Sequence, residues 1–77
     1  MPRPAQEIDQ TTFAGKISAE IRRRRLRKYP RVEDVAAVAD VPFKSWYNWE
    51  TGRPTIDCLP IVAQALGCTA RALIPAN

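Results

Sequence analysis

The chain has 77 residues, 45% hydrophobic and 26% charged, with a net charge of +4, which suits one small globular domain and excludes a disordered tail. It holds no histidine, three glycines and only two cysteines, which removes imidazole chemistry, mixed cysteine–histidine or four-thiolate zinc sites, and a glycine-rich phosphate loop. An enzyme is not expected, and no cofactor is implied.

In chain order, residues 1–11 carry Pro2 and Pro4 without an apolar period and read as a flexible arm, leaving residues 12–77 as the domain. Thr11 or Thr12 caps a first helix in which Phe13, Ile17 and Ile21 recur every four residues. Leu26 continues that apolar side, and Tyr29-Pro30 stops the helix. Glu33 and Asp34 favour the start of a short second helix carrying Val35, Ala36, Val38 and Ala39. After the break Asp40-Val41-Pro42, helical spacing resumes over 43–50 and ends at Gly52. A fourth helix runs to Gly67 with Ile56, Leu59, Val62, Ala63 and Leu66 facing inward. If Thr55 caps it, Pro60 removes a real hydrogen bond; if Asp57 is the working cap, Pro60 falls in the first turn, where the missing donor costs nothing. An irregular start is therefore expected. Thr69 caps a last short turn over 70–73, and Pro75 ends it. No segment alternates like a strand, so the fold class is all-α.

Cys58 and Cys68 flank the fourth helix, about 15 Å apart at 1.5 Å per residue, beyond disulfide reach. Free thiols, no membrane-length apolar run and no signal-like N-terminal stretch make a cytoplasmic location the expectation.

Charge is concentrated. Between Lys16 and Arg31 stand eight basic residues against Glu20 alone, so this segment carries +7 and the rest of the chain −3. A basic stripe on a weakly acidic body is the footprint of a polyanion partner, the alternative being a solvated helix face.

Residues 32–51 have the pattern of a helix-turn-helix. Ala36 gives the small residue at the helix crossing, and Asp40, four positions on, tolerates a left-handed backbone. Val35, Ala39, Val41, Trp46 and Trp49 are the apolar anchors. At 100° per residue, Ser45, Trp46 and Trp49 share one side of the second helix of the pair, while Phe43, Lys44, Tyr47 and Asn48 point away. That outward chemistry suits a major groove: Asn48 pairs with adenine, Lys44 donates to guanine, and Phe43 or Tyr47 meets a thymine methyl. Arg23, Arg27, Lys28, Arg31 and Arg53 are the candidate phosphate contacts.

The ordered set Arg25, Val35-Ala36, Trp46-x-x-Trp49-Glu50-x-Gly52-x-Pro54 and Ala63-x-Ala65-Leu66-Gly67 resembles the lambda-repressor-like helix-turn-helix domains of the Cro and phage-repressor (XRE) type. The resemblance spans roughly residues 17–73. It implies a compact five-helix bundle whose third helix enters the DNA major groove, and an internal ion pair between Arg25 and Glu50. The chain departs from the family at Val32, where glutamine is common, and at Pro42, where a Ser or Thr cap is usual.

The function expected is sequence-specific binding of double-stranded DNA by a transcriptional regulator of phage, mobile-element or antitoxin type, acting as a homodimer on a palindromic site. The apolar Leu73-Ile74 pair is the candidate dimer contact. Alternatives are a protein-binding adaptor using the Phe43/Tyr47 face, and a single-stranded nucleic acid binder that stacks bases on aromatics.

Overall fold

A computed structural model of the chain describes residues 12–75; the expected arm at 1–11, including Thr11 as an alternative cap, and the last two residues of the domain lie outside them. Among the described residues the chain is all-helical: α1 (Phe13–Lys28), α2 (Val32–Ala39), α3 (Phe43–Glu50) and α4 (Cys58–Leu66), closed by a 3₁₀ turn at Ala70–Leu73. α1 packs against α3, α4 and the 3₁₀ turn, and α2 bridges α3 and α4.

Local chemistry explains most boundaries. Thr12 caps α1, its hydroxyl accepting from the Gly15 amide at 2.9 Å. Pro30 follows the C-terminal residue Tyr29 and prevents continuation. α2 closes on Asp40, at φ 59° and ψ 47°. The Asp40 amide donates to the Ala37 carbonyl at 3.2 Å and the Val41 amide to the Ala36 carbonyl at 3.0 Å, the double closure of a Schellman motif. Aspartate is among the few non-glycine residues that enter this left-handed region at modest cost. α3 starts without a side-chain cap; the Pro42 carbonyl takes the Ser45 and Trp46 amides at 3.0 and 3.3 Å.

The fourth helix settles the choice left open at Pro60. α4 begins after Asp57, so Pro60 is its third residue and loses no helical bond. Asp57 makes no side-chain cap; Thr55 accepts from the Cys58 amide at 3.2 Å instead. The start is irregular, and α4 ends on Gly67 at φ 75°. The last element is a 3₁₀ turn capped by Thr69, whose hydroxyl accepts from the Ala72 amide.

Ile17, Ile21, Val35, Trp46, Val62 and Leu73 fill the centre, with Ala36, Ala63 and Ala65 at the helix crossings. Trp49, Val41 and Ala39 pack partly buried around it. Each fully buried branched or aromatic side chain here contributes about 1.5–3 kcal/mol relative to exposure.

Four expectations about the apolar faces are corrected. Leu26 is exposed, because the position one turn beyond Ile21 is Arg25, which turns inward. Phe13, read on that same apolar side, is 61% exposed at the first position of α1. Ile56 does not face inward; it sits in the turn before α4 and is 85% exposed. Leu73, expected at a dimer contact, is fully buried under α1 and α4, leaving only Ile74 of that pair at the surface.

Candidate nucleic-acid interface

The position of α3 is fixed by two polar contacts from α1. The first is Ser18, fully buried on the α1 side that meets α3. Its hydroxyl donates to the Trp49 carbonyl at 2.7 Å and accepts from the Gly52 amide at 2.9 Å. One side chain thus satisfies two backbone groups where α3 ends, and the turn there has Gly52 at φ 103°. The second contact lies two turns further along α1. Arg25 donates to Glu50 through Nε at 2.7 Å and Nη2 at 3.1 Å, in the planar two-point geometry of a strong charge-assisted pair. The other arm, Nη1, donates to the Tyr29 and Pro30 carbonyls at 3.1 and 2.9 Å, so the same guanidinium closes the C-terminus of its own helix.

Glu50 has a third donor, the Trp46 indole Nε1 at 2.6 Å, one turn earlier on α3. Arg25 and Glu50 are only 5% and 3% exposed. No buried side-chain polar atom among the described residues is left without a hydrogen bond, the condition under which a buried ion pair is tolerated. Trp46 therefore fills the core and completes a polar network.

With its inner side held this way, α3 presents Phe43, Lys44, Tyr47 and Asn48 outward. Phe43 is 50% exposed and Lys44 exposed, while Tyr47 and Asn48 are half-buried. The Phe43 and Tyr47 rings stack at 6.0 Å between centroids and 15° between planes. Among the described residues, the Asn48 side-chain amide has no hydrogen-bond partner, although its carbonyl takes the Thr51 and Arg53 amides. Beside this face runs an open groove flanked by Arg22, Arg31, Val32, Phe43 and Tyr47, with the Arg25–Glu50 pair at its base.

The basic candidates separate on α1. Ser18, Arg22 and Arg25 recur at i, i+4 and i+7 and share the side towards α3. Arg23 and Arg27 fall roughly 130° and 170° around from that side, and Arg23 is paired with Glu20. Arg24 also pairs with Glu20, at 2.7 Å. Lys28 lies over the Tyr29 ring at 5.6 Å and beside Gly67 at the end of α4. Hence Arg23, Arg27 and Lys28 are not brought to the α3 face. Arg31 is brought there; its exposed contacts to Glu33 and Asp34, at 3.5 and 3.7 Å, are weak enough to exchange for another anion. Arg53 is exposed on the loop after α3.

Arg22, Ser18 and the Trp46–Glu50 contact were missed by sequence reasoning. The four-residue spacing of Trp46 and Glu50 was the available signal for the last. Arg22 was available too, three residues before Arg25 and hence on the same side of α1.

Cys58 and Cys68 are free thiols, Cys58 buried. Burial raises the Cys58 thiol above its ordinary value, partly offset by hydrogen bonding with Thr55. Among the described residues no group of acidic, cysteine or histidine side chains is placed to hold a metal, and no helix is long and apolar enough to cross a membrane. Comparison with protein family models, with curated proteins and with solved structures finds no match to this chain.

Proposed function

We propose that the chain is a helix-turn-helix transcriptional regulator that binds duplex DNA through α3 in the major groove. The observation that carries this reading is the outward face of α3. A free amide (Asn48), an ammonium (Lys44) and a stacked aromatic pair stand side by side on one short helix, held from behind by Ser18 and the Arg25–Glu50 pair. An amide and an ammonium supply the hydrogen bonds that distinguish adenine and guanine edges, and the aromatic pair supplies apolar contact for thymine methyls. Backbone contacts fall to Arg22 and Arg31, the basic residues lining the groove beside that face, in place of Arg23, Arg27 and Lys28.

One eight-residue helix reads few bases, so two copies bind half-sites about one helical turn, ~34 Å, apart. Competition binding tests the reading: duplex should displace a labelled duplex better than the corresponding single strand. Equal or better displacement by the single strand favours base stacking on Phe43 and Tyr47 and rejects the major-groove reading.

The exposed, stacked Phe43–Tyr47 pair also favours a second reading, in which this face docks an apolar protein segment. No measurable affinity for any duplex at low salt would favour it.

A further inference from the structure

On another side of the molecule, an open apolar groove of about 470 Å³ lies between the start of α1, the segment joining α3 to α4, and the chain after the 3₁₀ turn. Phe13, Ile56 and Ile74, three of the seven large exposed hydrophobic residues described, all line it. Neither the core nor the α3 face accounts for them. Ile56 is the extreme case at 85% exposed, immediately before α4.

We infer that this groove is where two copies of the chain associate in solution, across a two-fold axis near Thr55. Three observations select a second copy over other occupants. The lining residues carry no charge, whereas the chain has a net charge of +4; an uncharged face lets two such molecules meet without like-charge contact. Thr55 is the only lining residue with a side-chain polar group, and a small-molecule site normally has several convergent ones to fix its ligand. The face also carries both a recess and a protruding side chain, Ile56, as a self-complementary interface requires.

The rim adds charge complementarity. Arg53 and Asp57, both exposed, sit two residues before and two after Thr55. Neither side chain makes an ion pair among the described residues. A two-fold axis at Thr55 with the two segments antiparallel sets Arg53 of each copy against Asp57 of the other. Two ion pairs then close the edges of an apolar contact in which Ile56 enters the opposing groove. This deepens the two-fold DNA binding proposed above, but the contact itself does not depend on DNA, so the free protein is the right material for the test.

Sedimentation equilibrium of the full chain without DNA, from micromolar to millimolar, should show a reversible monomer–dimer equilibrium. Ile56→Glu should weaken association by roughly a hundredfold or more, because each dimer loses two buried isoleucines. Its circular dichroism, and its melting at concentrations where the original chain is monomeric, should be unchanged, since Ile56 is exposed in the monomer. Arg53→Asp and Asp57→Arg should each weaken self-association, and an equimolar mixture of the two should restore it as a heterodimer. A chain monomeric throughout, whether the groove is covered by residues 1–11 or reserved for another protein, overturns the inference. So does a dimer indifferent to Ile56→Glu, or charge variants that the mixture does not rescue.

Discussion

Replacing Glu50 probes the junction between fold and function. The Glu50 carboxylate accepts from Arg25 twice and from Trp46 once. Glu50→Ala strands a guanidinium that is 5% exposed, and breaking one side of a buried pair costs about 3–5 kcal/mol. The Tyr29 and Pro30 carbonyls still satisfy one arm of Arg25, which favours the lower end of that range. The orphaned Trp46 indole N–H adds about 1–3 kcal/mol. The sum, about 4–6 kcal/mol, is a third or more of the whole stability of a 77-residue domain, about 4–12 kcal/mol, so Glu50→Ala should be severely destabilised.

Glu50→Gln is the graded variant. It keeps a carbonyl for Trp46 and loses the charge for Arg25, for an expected cost of about 1.5–3 kcal/mol. A cycle with Arg25→Met isolates the pair. Each single variant leaves one buried charge unmatched and the double variant leaves none, so the double should cost less than the sum by about 2 kcal/mol or more. Urea unfolding followed by tryptophan fluorescence reads all three, since Trp46 and Trp49 both report on α3. Additive costs within error, or Glu50→Gln as stable as the original chain, would refute the buried network.

Three further outcomes are expected. Asp40→Val forces a β-branched residue into the left-handed turn and should cost about 1–2 kcal/mol, while Asp40→Gly should be neutral or stabilising in the same urea assay. Arg22→Ala should lower the slope of log affinity against log salt by about one unit on any duplex, and Arg27→Ala should leave it nearly unchanged, because Arg27 points away from α3. Stability should fall as pH climbs past about 9.0: below that value both states hold the Cys58 proton, and above it the unfolded chain ionises first because burial has raised the folded thiol. Cys58→Ala should flatten that decline relative to the original chain in melts between pH 8 and 10.

Much of this architecture is legible from residue spacing. The Thr12 and Thr69 caps, the breaks at Tyr29-Pro30 and Asp40–Pro42, and the stop at Gly67 are local events decided by residues within one turn, and they appear in the structure where the sequence puts them. What spacing misjudged was tertiary. Along α1, hydrophobicity selects Leu26 for the interior, yet the inward position four residues after Ile21 holds Arg25, which only its non-local partner Glu50 makes acceptable there. Ile56 and Leu73 exchange expected roles for a similar reason: which faces outward depends on how the turn before α4 and the 3₁₀ turn dock, and neither is periodic. The outward placement of Phe43 and Lys44 followed from a 100° wheel, because α3 buries one side only; Tyr47 and Asn48, read as pointing away with them, are half-buried. The basic stripe did not resolve in the same way. A run of arginines winds around a helix, and only the position of α3, fixed through Ser18 and Arg25, separates Arg22 from Arg23 and Arg27.

Base reading in duplex DNA by the outward face of α3 is the proposal on which the function rests. It is tested most directly by selecting sites from a random duplex pool at stated salt, then titrating the original chain and Asn48→Ala against the best site and a scrambled duplex. An enriched two-fold site is expected. On that site Asn48→Ala should lose about 1–3 kcal/mol and relax preference at one or two positions, while changing scrambled-duplex affinity little. No enrichment, or an Asn48→Ala variant that binds both duplexes as the original chain does, would contradict the proposal.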